Sequence, residues 1–153
     1  MKTPYGVRSD LTRIHSQWTK LTGLHSREEW SGAMVRAATG AELAANYAIR
    51  EEFRKASQLT PAFVNSLLKS ANGLGGKMEK LLLPLSMGTP NVATMRKLNN
   101  VAQRINAQRN MIVHQGHFMN ESEAQTLIED ARLFIETLVR LYDTSFALGA
   151  PSK

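Results

Sequence analysis

The chain reads as a single all-α domain, a bundle of about five or six helices. Three observations predict it. Apolar residues recur at spacings of three and four almost throughout, from Leu11, Ile14, Trp18 and Leu21 to Ala124, Leu127, Ile128, Ala131, Phe134, Ile135, Leu138 and Tyr142. No stretch alternates apolar and polar residues long enough to argue a strand. Helix-start signals punctuate the chain at Ser26, Thr60-Pro61, Thr89-Pro90 and Asn120. With 153 residues, one domain over residues 1–148 is expected, followed by a flexible C-terminal tail over 149–153.

Taken in order, the first helix should run from Ser9 or Asp10 to about Leu21, with Gly23 as its stop. Ser26-Arg27-Glu28-Glu29 matches a capping box and should open a second helix reaching about Ser57, with Gly40 a weak point. Thr60-Pro61 starts a third, whose apolar stripe is Phe63, Val64, Leu67 and Leu68. Asn72-Gly73-Leu74-Gly75-Gly76 should end it and begin a flexible connection. A short helix follows over Lys77–Leu83, broken by Pro84. Thr89-Pro90 introduces a long fifth helix towards His114. After a turn at Gln115–Met119, Asn120 and Glu123 cap the last helix.

The absence of cysteine excludes disulfides, thiolate nucleophiles and Cys-based metal sites. No run approaches the ~20 apolar residues of a membrane span, and Arg8, Asp10, Arg13 and His15 interrupt any leader-like apolar stretch. A cytoplasmic protein without a membrane partner is the expectation. The net charge of +6 is uneven: residues 61–112 hold seven Lys/Arg against Glu79 alone. Such a segment attracts a polyanion, or is simply a solvated basic face.

The fifth helix ends in Arg109-Asn110-Met111-Ile112-Val113-His114, with Gly116 just beyond. Val92, Met95, Leu98, Ala102, Ile105, Arg109 and Ile112 follow at spacings of three or four, so a guanidinium stands where Leu or Ile belongs. A second row, Asn99, Gln103, Asn106, Asn110 and His114, is polar. Arginine is suited to gripping a phosphate and histidine to moving a proton near neutral pH. The competing reading is structural: Arg109 snorkels or pairs with Glu129 or Glu136, and His114 faces the negative end of the helix dipole. Five residues place Arg109 and His114 about 140° apart on an ideal helix. They converge more easily if two copies of the helix face each other in a homodimer.

This segment resembles the HEPN superfamily, whose hallmark is an Arg, a following polar residue and a His after a gap of four to six positions. The resemblance implies a HEPN-like helical fold, a two-fold dimer and a metal-independent endoribonuclease without cofactors, often in toxin–antitoxin or antiviral defence. It further implies that Arg109 holds the scissile phosphate, that His114 acts as general base or acid, and that Asn110 orients one or the other. Attack by the ribose 2′-hydroxyl would leave a 2′,3′-cyclic phosphate. RNA is the implied substrate, with an antitoxin or other regulatory protein as a further partner. One toxin branch carries Tyr two positions after the His; Gly116 stands there instead.

Glu42 and Asn46, four apart in the second helix, are candidates for a supporting shell around Arg109 or His114, or for a solvent-facing pair. Gly73-Leu74-Gly75-Gly76-Lys77-Met78 is a poor phosphate loop, because its spacing is wrong and Met78 replaces Ser/Thr. His114 and His117 lack the nearby carboxylates of a zinc site, so no metal is expected. No Ser-His-Asp arrangement and no convincing helix-turn-helix can be read, and Tyr5, Trp18, Trp30 and Tyr47 suit packing better than base stacking. Two alternatives to the nuclease therefore stand: a non-catalytic helical module binding a nucleotide, nucleic acid or protein, and a purely structural bundle.

Overall fold

A computed structural model describes residues 9–56, 60–71 and 73–149. Among them there are six helices and no strand. They are α1 (Asp10–Ser26), α2 (Trp30–Ala56), α3 (Pro61–Ser70), a bent α4, α5 (Val92–Gln115) and α6 (Glu121–Arg140). Helix α4 joins three pieces, Gly73–Lys77, a wider π-type turn Met78–Leu82, and Leu83–Ser86. Pro84 therefore does not break the segment. It sits in the first turn of the last piece, where Leu83 N–H reaches back to the Met78 carbonyl across the wide turn.

The chain enters α1 through Ser9, whose hydroxyl accepts from Thr12 N–H at 3.2 Å. Gly23 does not stop α1. An interior glycine costs only about 1 kcal/mol, and Leu24 continues the helix by packing against the core. The capping box at Ser26 does not form either, because its hydroxyl donates to the Gly23 carbonyl at 2.8 Å inside α1. The turn is made instead at Glu28, with φ at 59°. Thr60 and Asn120 do cap as their residue types demand: each side-chain oxygen accepts the N–H three residues on, from Phe63 at 3.2 Å and Glu123 at 2.8 Å.

Helix α2 is the centre of the bundle, packing most extensively against α1 and α6. Its buried face is built largely from small residues: Ala33, Ala37, Ala41, Ala44, Ala45 and Ala48 are sealed from solvent. Gly40 is no weak point. A Cβ there would stand 3.2 Å from Ile135 Cδ1, so the glycine allows α2 and α6 to approach closely. Phe134, Ile135, Leu138 and Val139 fill the other side of that contact. Tyr142, expected on the same stripe, is half-buried beyond the end of α6. Its hydroxyl donates to Glu52 Oε1 at 2.5 Å. Burial first, then that hydrogen bond, pushes its pKa well above the ordinary value.

In α3, Val64 and Leu68 are buried while Phe63 is 52% exposed, so only part of the expected stripe faces inward. The glycine-rich run is a correction to the expected flexible connection. From Gly73 it is helical, and Leu74 and Gly75 are buried. A Cβ on Gly75 would lie 2.9 Å from Gln103 Oε1, so the missing side chain makes room for α5. Gln103 Nε2 also donates to the Gly75 carbonyl at 3.3 Å. No described helix is long and apolar enough to cross a membrane. Within the expected tail, Gly149 offers its carbonyl to Arg132 Nη2 at 2.7 Å, and residues 150–153 lie outside the described residues.

Candidate active site

The last two turns of α5 carry Arg109, Asn110 and His114, and the helix ends immediately afterwards at Gly116. Gly116 has φ 66° and ψ 22°, a left-handed conformation that favours glycine. Its N–H and that of His117 both turn back to the Met111 carbonyl, the latter at 3.1 Å. That turn releases His114 and Gln115 to an exposed helix end. The apolar row supporting the site is packed as its spacing requires: Met95, Leu98, Ala102 and Ile105 are buried and Ile112 is partly so. Arg109 continues this row but is half-buried, as is Asn110, while His114 is exposed.

Partnering separates these residues from chemically similar ones. Among the described arginines, Arg109 alone has no hydrogen bond, ion pair or ring contact. All four histidines are described: His15 packs on Phe146, His25 meets Gln125 and Trp30, and His117 meets Glu123 at 3.2 Å. Only His114 has no partner, and the Asn110 amide has none either. The internal pairing open to Arg109 is not made. Glu129 accepts from Gln125 at 3.0 Å, and Glu136 is occupied by Arg132 at 3.5 Å and Arg140 at 2.6 Å. A half-buried cation without a partner keeps its donors available for an anion.

The charge of residues 61–112 is less lopsided than the segment count suggests. Lys77 is paired with Glu42 and Arg104 with Asp130. Lys69, Lys80, Arg96 and Lys97 remain exposed on α3, α4 and α5, so a basic surface persists. Val113 and Phe118 flank His114 and are 46% and 87% exposed, an apolar pair beside the polar site. Arg109 and His114 are separated by about 7.5 Å along the axis and about 140° around it on an ideal helix.

Glu42 accepts from Lys77 Nζ at 2.7 Å, and with Asn46 it lines a cavity whose walls include neither Arg109 nor His114. Sequence reasoning missed the remainder of that wall, although Arg50 follows Asn46 by one further helical turn and so shares its face. The cluster also needs Lys77 from α4 and Asn65 from α3, which only the tertiary fold brings there. No group of three or more His, Asp or Glu suited to a metal occurs among the described residues. Comparison with family models, curated proteins and solved structures gave no match.

Proposed function

We propose that the chain is a metal-independent, HEPN-type endoribonuclease that works as a homodimer. One observation carries the reading: among the described residues Arg109 is the one arginine and His114 the one histidine left without a partner, and the unpartnered Asn110 stands with them at one helix end. A structural role for Arg109 or His114 would consume their hydrogen-bonding capacity; here it is spared.

In this reading the Arg109 guanidinium binds the non-bridging oxygens of the scissile phosphate and stabilises the charge that builds there during displacement. The neutral His114 imidazole takes the proton from the ribose 2′-hydroxyl, whose oxygen attacks phosphorus. The P–O bond to the 5′-oxygen breaks, and that oxygen takes up a proton from water as it leaves. The products are a 2′,3′-cyclic phosphate and a 5′-hydroxyl. Asn110 orients the phosphate or the imidazole. The exposed Val113 and Phe118 support an apolar contact between copies that would bring two sets of these groups together. A toxin–antitoxin or antiviral defence setting, with an inhibitory protein partner, accords with such an activity.

The test is incubation of RNA with wild type, Arg109→Ala and His114→Ala in the presence of a metal chelator. Wild type yields cyclic-phosphate ends, and each variant loses at least about a hundredfold in rate. Intact RNA across varied substrates, with folded wild-type protein, refutes the nuclease. Salt-sensitive RNA binding without cleavage supports a non-catalytic binding module instead.

A further inference from the structure

A second polar site lies between α2, α3 and the start of α4, in a cavity of about 500 Å³. That volume suits a small molecule. Glu42, Asn46, Arg50, Asn65, Lys69 and Lys77 supply its polar wall. Their hydrogen bonding is incomplete in a particular way. Lys77 is 5% exposed, and its ammonium has one acceptor, Glu42 Oε1 at 2.7 Å, for three N–H groups. Asn46 Oδ1 is sealed from solvent without a partner. The second oxygen of Glu42 has no hydrogen bond. Lys69 is exposed on the wall and pairs with nothing. Arg50, by contrast, is held by Asp10 and by Asn65 Oδ1 at 3.2 Å, which fixes the far wall.

Buried polar groups in folded proteins are nearly always satisfied, so this deficit describes what is missing. The deficit proper belongs to Lys77, which lacks acceptors, and to Asn46 Oδ1, which lacks a donor; Lys69 and the 36% exposed Glu42 side chain stand open to solvent on the same wall, where a ligand can take the place of water. One group with three terminal oxygens reaches donors on several walls at once, which a carboxylate with two does less well. Neighbouring hydroxyls answer Glu42 and, after rotation of its amide, Asn46. We propose that the cavity binds a small hydroxylated phosphate monoester, its phosphate between Lys69 and Lys77 and its hydroxyls towards Glu42 and Asn46. Its lining includes none of Arg109, Asn110 and His114, and the proposal does not rest on the nuclease reading.

The experiment is an NMR titration of the isotope-labelled full chain with ribose 5-phosphate, ribose and inorganic phosphate, read at the Asn46 and Asn65 side-chain amides. Ribose 5-phosphate should give saturable shifts at both. Lys69→Glu should weaken it about tenfold. The paired change Lys77→Met with Glu42→Gln removes the ion pair whole, leaving no buried charge behind, and should abolish the shifts while the rest of the spectrum stays folded. Arg109→Ala should bind as wild type does. Absence of saturable shifts, unchanged affinity in Lys69→Glu, loss of binding in Arg109→Ala, or inorganic phosphate binding as tightly as the ester would each overturn the proposal.

Discussion

Replacing Arg109 by leucine separates a functional guanidinium from a structural one. The position continues the row of Met95, Leu98, Ala102 and Ile105 and is followed by the partly buried Ile112. Arg109 is half-buried and makes no ion pair or hydrogen bond, so its removal strands no carboxylate. Fully burying a leucine is worth roughly 1.5–3 kcal/mol, and half-burial therefore about 1 kcal/mol. Loss of the arginine stem, which already covers some apolar surface, offsets part of that. The net expectation is a gain of roughly 0.5 kcal/mol, accompanied by loss of RNA cleavage, a pattern typical of function held at the expense of stability. Urea denaturation followed by circular dichroism measures the first and gel analysis of RNA the second. A loss of more than about 1 kcal/mol would refute the reasoning, because that is the signature of a guanidinium engaged in the fold.

Other substitutions test neighbouring links. His114→Ala removes an exposed side chain without a partner, so stability should change by less than about 0.5 kcal/mol while cleavage disappears; a larger stability loss assigns the histidine to the fold. Gly116→Ala places a Cβ on a residue with φ 66°, and should lower unfolding free energy by about 1 kcal/mol in denaturant melts. Arg132→Ala loses the Leu148 and Gly149 carbonyls, Glu136 and the face of Trp18, and should cost about 1–2 kcal/mol by the same measurement. Tyr142 gives an alkaline signature. Its folded pKa lies above the ordinary 10.0, so its contribution is full below that value and is lost as pH rises beyond it. Stability should decline above that pH, and Tyr142→Phe should flatten the decline while removing the donor to Glu52.

The fold class and the long helices were legible because apolar periodicity is written along each element and survives whatever the neighbours do. Thr60 and Asn120 were legible for a related reason: each cap is closed by its own side chain within one turn. Boundaries decided by competition were not. Ser26 had the spacing of a cap for α2, but its hydroxyl finds the Gly23 carbonyl of α1 first. The Gly73–Gly76 run resembled a hinge because glycine is flexible in isolation, whereas burial against Gln103 makes it helical. The candidate site divides in the same way. Residue types and spacing pointed to Arg109, Asn110 and His114, but their lack of partners depends on where Glu129 and Glu136 turn. Glu42 and Asn46 stood out as polar residues among alanines, yet their neighbours across the cavity come from α3 and α4 and leave no trace in α2.

The central claim is that Arg109 and His114 serve one phosphate across a pair of subunits, an arrangement that their separation around α5 favours. Mixing inactive Arg109→Ala with inactive His114→Ala tests it directly, since a mixed dimer keeps one arginine and one histidine on opposite chains. Particles near twice 17.0 kDa by light scattering establish that dimers exist. Restored cleavage with cyclic-phosphate ends is the result expected. A mixture whose mixed dimers are verified by mass, but which stays as inactive as either variant beside an active wild type, would contradict the shared cleft.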